Sequence, residues 1–493
     1  MKKNDIFNAF EKLDEKFVVE CAPKEAIKRR KSIYFRIVAA IVAVAITASA
    51  LLGGYLIYNR INKTDGIDVG GANSIYAVPM NYVLSTAQYK KMLQLPNRND
   101  YENWTEFSEA YKTWDAERQE RRRLNADASM LSGFFTKTTE ELLLNSNGDN
   151  VICSPLSIYM AIAMLGEITG GEKRDEIMNA LGVSDIEQLR TLTKAICESV
   201  YSDNGATTQM LSNSMWLDDN VDKVNKTAVD ALAEYYYASS YQGDMSDEEF
   251  RALCSKWISE GTGGLFNGCP ISADTVLTLI STLYIESLWG KDNSFNFSLT
   301  YTADFYTDTT TVQAEYMRRE QKTYLYAGEG FYMIKIPLET GGYMWFFLPT
   351  EDWSVDKIIS GDYLMDVLSG EIELQRREYY MTLSIPKFNV SQEGNITDLL
   401  QALGISRTFS AADLSTLGES AVATLEMLHG ASLEIKESGI KGGAHANLGI
   451  EYGEPAFPSG DRLEFIFDRP FVFAVTTAAK LPLFVGAVND PSK

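Results

Sequence analysis

Histidine is almost missing from these 493 residues: only His429 and His445 occur. Most imidazole-based metal sites are thereby excluded, and a Ser-His-Asp hydrolase has little to build with. Cysteine is sparse too. Cys21, Cys153, Cys197, Cys254 and Cys269 are odd in number and none stands in C-x-x-C spacing. Neither a disulfide framework nor a zinc site is expected. Cys153 sits in an apolar run and reads as a small buried residue. Positive charge is in deficit: 45 Lys and Arg face 67 Asp and Glu, for a net charge of −22. Such a surface repels phosphate backbones, which argues against a nucleic-acid partner and favours basic ones. Internal repeats and low-complexity blocks are absent. Residues 166–174 hold glycines and a lysine but lack G-K-[ST] and follow no strand-like run, so no phosphate-binding loop is read there. No catalytic residue, metal site or cofactor is expected.

One apolar run stands apart. Residues 37–58 carry no charge and are about long enough to cross ~30 Å of hydrocarbon. Tyr34, Phe35, Tyr55 and Tyr58 lie near its ends, as interfacial aromatics do. Lys24, Lys28, Arg29, Arg30, Lys31 and Arg36 precede it, against Arg60 and Lys63 beyond it. This asymmetry predicts a transmembrane helix over 34–58, a cytoplasmic tail over 1–33 and an extracellular remainder. A cleaved signal peptide, cut at Ala48-Ser49-Ala50, is the alternative. The leader exceeds 30 residues and the run continues past that site, which favours a retained anchor. A basic-flanked anchor with few cysteines fits a bacterial cell surface. In the tail, Phe7, Phe10, Leu13 and Phe17 recur at helical spacing, as in a short amphipathic helix on the inner membrane surface.

Residues 59–125 read as linker and stem. The Asn-, Gly- and Asp-rich stretch 59–83 is linker-like. Asn99-Asp100 predicts a helix start, after which Tyr101, Trp104, Phe107, Tyr111 and Trp114 line one face. Arg118, Arg121, Arg122 and Arg123 follow. Such a helix either docks on the main domain or offers a surface to a partner or to anionic headgroups. The main domain spans 126–493. Residues 140–144, 158–165 and 174–181 carry helical patterns, whereas 333–338, 344–348, 383–390, 472–475 and 483–488 read as strands. Helices gather in the first half and strands in the second, which predicts an α+β domain with a large, mostly antiparallel sheet.

Residues 437–452 have the period of a half-buried strand. Ile440, Gly442, Ala444, Ala446, Leu448, Ile450 and Tyr452 alternate with Lys441, Gly443, His445, Asn447, Gly449 and Glu451. Yet Gly439, Gly442, Gly443 and Gly449, with Gly453 just beyond, weaken any isolated strand. A strand-like pattern in so loose a segment suggests a loop that becomes a strand elsewhere.

Six landmarks, in one order over roughly 360 residues, carry a family resemblance. They are Asn150-Val-Ile-Cys-Ser-Pro-Leu-Ser157 with Gly170-Gly-Glu-Lys173, Ser281-Thr-Leu-Tyr-Ile-Glu-Ser-Leu-Trp289, Ile385-Pro-Lys-Phe388, Leu403-Gly-Ile405 leading to Ala412-Asp-Leu-Ser415, Asp468-Arg-Pro-Phe-Val-Phe473, and Leu483-Phe-Val-Gly-Ala-Val-Asn-Asp-Pro491. The series resembles the serpins. The resemblance implies three β-sheets, about nine helices and an exposed reactive loop. It also implies inhibition of serine proteases, with cysteine proteases as a further class. The cleaved loop would insert as a central strand of the main sheet while still acylating the protease. A monomer is expected.

The resemblance also assigns residues. Glu437 matches the hinge acid and Gly439 the hinge glycine. Ile440, Gly442, Ala444 and Ala446 follow in the hinge, with Ile440 where threonine is usual and Gly442 and Gly443 where alanines are. His429, Ser154 and Ser157 match the shutter cluster beneath the opening sheet, in which Ser281 stands for an asparagine and so reaches less far. Trp289 matches the breach, where the sheet first parts. Fourteen residues from Gly439 place the cut at Gly453–Glu454; shorter counts put Tyr452 or Ile450 in the specificity pocket. Tyr452 suits a chymotrypsin-like enzyme and Ile450 an elastase-like one. A cut displaced downstream to Arg462 would suit a trypsin-like enzyme.

Overall fold

The computed structural model describes residues 78–124, 131–144, 146, 148–266, 268–269, 271–290, 292–406, 413–414, 416–418, 425–440 and 461–493. Within them, the strands form two continuous ladders rather than three. The first contains β1 (Val83–Ser85), β3 (Ser202–Asp203), β4 (Thr207–Asp218), β5 (Ala238–Gly243), β6 (Leu277–Leu288), β12 (Phe388–Asn395), β13 (Leu425–Lys436) and β14 (Gly439–Ile440). Its order is β1-β5-β4-β6-β14-β13-β12, with β3 beside β4. The second contains β2 (Val151–Cys153), β7 (Tyr301–Tyr306), β8 (Thr311–Ala327), β9 (Phe331–Pro337), β10 (Tyr343–Pro349), β11 (Gln375–Pro386), β15 (Arg462–Ile466), β16 (Phe471–Thr476) and β17 (Pro482–Val488). Its order is β15-β11-β8-β9-β10-β16-β17-β2, with β7 also on β8. The merger of two expected sheets has a simple cause. β8 is 17 residues long; its first part (311–316) pairs β7 and its end pairs β9, while β11 pairs the stretch 316–327 between and beyond them. Most pairings are antiparallel, but β4–β5, β6–β13 and β11–β15 are parallel.

Ten α-helices occur among the described residues. The helix α3 (Pro155–Ile168) is buried at every position. It is apolar almost all round, as a helix enclosed by sheets must be. Ser154 caps it by accepting from the Ser157 N–H, and Pro155 fills the first turn, where no backbone donor is needed. By contrast, α5 (Ile186–Val200) buries Leu189, Leu192, Ile196 and Val200 at helical spacing and turns its charges outward. Glu167 of α3 is buried too. It survives there because Arg190 of α5 grips both carboxylate oxygens, at 2.6 and 2.9 Å, and the Tyr236 hydroxyl donates at 2.9 Å. The strands β16 and β17 are buried throughout, and their unbroken apolar runs reflect cover on both faces.

The stem is part of the domain. Residues 83–85 form the edge strand β1 on β5, and the Tyr89 hydroxyl donates to Leu211 O and Tyr237 O. The helix α1 (Trp104–Arg121) starts later than Asn99-Asp100. Those two residues close a single 3-10 turn, and Asn103 is the cap, accepting from the Glu106 N–H. The aromatic face is graded: Trp104 is 67% exposed and Trp114 only 3%, its Nε1 donating to Asn204 O. Arg118 and Arg122 reach Glu339 in the turn between β9 and β10.

One cysteine expectation is corrected. Cys254 of α7 (Glu248–Gly261) is bridged to Cys269, 15 residues on. The chain leaves the helix at Gly261 and returns, bringing the two Cα atoms to 5.7 Å. Spacing alone cannot show a pairing that depends on this turn. Among the described residues no cluster of His, Cys, Asp and Glu could hold a metal ion, and no helix is long and apolar enough to cross a membrane. The run 37–58 lies outside them.

Candidate functional site

The candidate site is the seam between β6 and β13. At one end these strands pair directly and in parallel, 277–282 against 425–430. At the other end β14 lies between them. Gly439 and Ile440 pair with Leu288 and Ser287 on one side, and with Lys436 and Ile435 on the other. Between the two ends, residues 283–286 and 431–434 have no partner across the seam among the described residues. The sheet is thus parted at one end and closed at the other.

Glu437 and Ser438 form the turn that folds the chain back from β13 into β14. Gly439 is required for a reason other than pivoting. A Cβ there would stand 2.2 Å from Ser287 O and 2.7 Å from Leu288 Cα, so only glycine fits against β6. Ile440 is 1% exposed and already in the core. Trp289 holds the turn from below. Its backbone N–H donates to Ser438 O at 3.1 Å and its Nε1 to Lys436 O at 3.0 Å. Its ring meets Phe295 edge-on, and the Phe295 N–H donates to Glu437 O at 3.1 Å.

The Glu437 side chain is buried. Lys387 Nζ sits 2.7 Å from Oε1, and Thr300 Oγ1 donates to the same oxygen at 2.7 Å. Burial pushes this carboxyl up, but the bonds from Lys387 and Thr300 outweigh it and hold it below the usual carboxylate range. Lys387 also reaches Glu315 at 3.1 Å. Lys387 lies within the Ile385–Phe388 landmark, but nothing local in the sequence places it beside Glu437.

Beneath the seam, His429 of β13 is buried against the start of α3. Its Nε2 accepts from the Ser154 N–H at 3.1 Å. The proton therefore sits on Nδ1, which donates to Ser157 Oγ at 3.2 Å. Ser157 Oγ in turn donates to Ser154 O at 3.2 Å. Every polar atom of a neutral imidazole is satisfied, and burial lowers the His429 pKa to about 4. Ser281 is level with His429 across the closed part of the seam, and with Asn213 on the other side. Its hydroxyl has no hydrogen-bond partner among the described residues. Over the next residue, Gly430, lies the ring of Phe266 from the connection after α7; a Cβ on Gly430 would meet it at 3.0 Å.

Gly442, Ala444, Ala446, Ile450, Tyr452, Gly453 and Glu454 lie outside the described residues. Arg462 does not. It stands in β15 opposite Tyr380, paired into the second sheet, so it is no loop residue.

Comparisons with known proteins agree with this geometry. The family model described as Serpin (serine protease inhibitor) matches residues 130–491. Serpin-ZX of Arabidopsis thaliana is 28% identical over 372 residues, covering 70% of this chain and 93% of that protein. An alpha-1-antitrypsin-like protein of Tamias sibiricus is 28% identical over 382 residues, covering 74% and 89%. Among solved structures, the thermophilic serpin tengpin in its native state aligns with a TM-score of 0.64 at 22% identity, covering 73% of this chain and 93% of that one. Arabidopsis AtSerpin1 in its native stressed conformation gives 0.63 at 24%, covering 76% and 99%. A family match over most of the chain joins a part-opened main sheet and a serine–histidine cluster beneath it: the chain belongs to the serpins, a family of protease inhibitors and not of enzymes.

Proposed function

We propose that this serpin is a suicide inhibitor of extracellular serine proteases, with cysteine proteases as a second target class. The protease's nucleophile opens a bond in 450–454 and stays esterified to the new loop end. The freed chain then extends β14 down the seam, parting β6 from β13 and carrying the acyl-enzyme away from its substrate position. The observation that carries the reading is β14 itself. The first two residues of the incoming strand already lie paired on both sides in the parted end of the sheet. Insertion then extends a strand and needs no new nucleus. A Tyr452 cut favours a chymotrypsin-like target and an Ile450 cut an elastase-like one.

The domain works outside the cell in this proposal, held as a monomer by a single-pass anchor over 34–58. Two features support the location: the charge asymmetry around 37–58 and the Cys254–Cys269 bridge, which persists in oxidising surroundings. The test is incubation of the chain with chymotrypsin-like and elastase-like enzymes. An SDS-stable adduct, with its released peptide placing the cut by mass spectrometry, is the expected result. Clean cleavage with full recovery of enzyme activity overturns it. That result would favour a non-inhibitory serpin serving as a surface binding module or scaffold, for which Ile440, Lys441 and the Gly442-Gly443 pair speak as departures from the usual hinge, the glycines by weakening the inserted strand.

A further inference from the structure

The segment ahead of the family-matched span brings a cluster of guanidinium groups against the domain. A cleft lies between the end of α1, the end of α5, the start of β4 and the β9–β10 turn. Arg118, Arg121 and Arg122 line it, with Glu339, Thr340 and Gln209. Three cations thus face one carboxylate, in a chain whose net charge is −22. Arg118 is occupied: it bonds Asp115 and reaches Glu339 at 2.7 Å. Arg122 donates through one Nη to Glu339 O. The Nε groups of Arg121 and Arg122, however, are buried and have no acceptor, and burial and the neighbouring Arg118 lower the Arg122 pKa. Gln209 carries the complementary defect. Its Nε2 donates to Val200 O, while its buried Oε1 has no donor. Buried polar atoms left without partners are rare and point to a missing group.

We propose that this cleft binds a phosphate-type oxyanion, an ion that presents acceptors to the arginines and one hydroxyl donor to Gln209. Carboxylate and sulfate satisfy the guanidinium edges equally well but bring no hydroxyl at neutral pH. Hydrogen phosphate and dihydrogen phosphate each bring one or more. The cleft leaves about 30 Å³ for such a group, the space of roughly two waters, which suits a small ion and not a sugar or nucleotide. The same arginines grip the β9–β10 turn, and that turn grips the end of β6: the Glu339 N–H donates to Leu288 O and the Thr340 N–H to Ser287 Oγ. Leu288 and Ser287 are the two residues on which β14 is paired. A bound ion would fasten α1 to the turn and steady the parted end of the seam.

The test is calorimetric titration of the full chain in detergent with inorganic phosphate and, separately, with sulfate and succinate. Saturable binding of phosphate, stronger than that of either other anion, is expected. Arg122→Gln and Arg121→Gln should each weaken it roughly tenfold to a hundredfold, the loss of a charged hydrogen bond. Arg123→Gln, outside the cleft and exposed, should leave it unchanged. Gln209→Leu should abolish the preference of phosphate over sulfate while leaving both bound. Thermal melts of each variant without ligand report folding separately. No saturable phosphate binding, or binding that survives Arg121→Gln and Arg122→Gln unchanged in folded protein, overturns the proposal. Equal affinity for phosphate and sulfate in the unaltered chain also overturns it. No protease enters the measurement, so its failure leaves the inhibitor reading untouched.

Discussion

His429 and Gly439 both stand on the seam, and each would fail in a definite way. His429 is neutral in the fold because both ring nitrogens are engaged and water is excluded. An unfolded histidine titrates near 6.5, whereas the buried one titrates at about 4. Below pH 6.5 the unfolded chain therefore binds a proton that the fold refuses, so stability falls with falling pH across that window and is unaffected above it. The full loss is about 3 kcal/mol. Urea unfolding at pH 7 and pH 4.5 should show it, and His429→Gln should flatten this part of the profile. Gly439 fails by volume. With a side-chain carbon so close to Ser287 O, Gly439→Ala must push β14 away from β6. The variant should cut insertion off at its first step. Under the proposed mechanism, more inhibitor molecules are then cleaved per protease trapped, read by stoichiometric titration. An unchanged stoichiometry would show that β14 is not on the insertion path.

At the scale of elements, the strands and buried helices were legible because their patterns are local. The β9, β10, β16 and β17 runs are short, apolar and bounded by turns, and α3 announces itself by Ser154-Pro155 and an apolar stretch. The meeting of His429 with Ser154 and Ser157 was expected only through landmark order, since nothing local brings them together. What stayed hidden was long-range. The bond from Lys387 to Glu437 joins residues 50 apart in number, and Arg118 meets Glu339 across 221 positions. The Cys254–Cys269 bridge was hidden too, because its geometry is made by the exit from α7. That bridge ties the helix to the connection carrying Phe266, whose ring covers Gly430 on the seam. Closing a loop of 15 residues stabilises a fold by ~3 kcal/mol in the chain-entropy account. Cys254→Ser with Cys269→Ser should lower the denaturation midpoint accordingly, with a slope against denaturant that is unchanged or steeper, because the unlinked unfolded chain exposes more surface. Since the released connection also lies over Gly430 on the seam, the same variant should, under the proposed mechanism, insert its cleaved loop faster, read by stopped-flow fluorescence after nicking.

Under the proposed mechanism, the molecule as a whole is a fold held short of its own minimum. Strand β6 is fully paired to β4 along residues 277–287, yet on its other edge residues 283–286 face the seam without a ladder partner among the described residues. The side chains Leu283, Ile285, Ala431 and Leu433 along it are all buried, an apolar lining that suits an inserted strand. The segment that would enter supplies Ile440, Leu448 and Ile450 on the inward side and no charge there. Of these, Ile440 is buried already. Leu448 and Ile450 then add ~1.5–3 kcal/mol each on burial. Gly442 lies inward as well, and Gly443 and Gly449 outward; each opposes insertion by ~0.5–1 kcal/mol relative to alanine. The side-chain terms alone balance only where burial is weakest and the glycine cost largest, at about 3 kcal/mol each, and favour insertion elsewhere. The decisive term is then the backbone: each inserted residue gives its N–H and C=O partners that a solvated loop must find in water. Several such bonds, at ~0.5–1.5 kcal/mol net each, put the inserted form clearly lower. Nicking the loop with a trace of protease, then melting nicked and intact chains side by side, should raise the transition by on the order of 10 °C. A nicked chain that melts where the intact one does would mean that the seam never opens and that β14 is only an anchor for the loop.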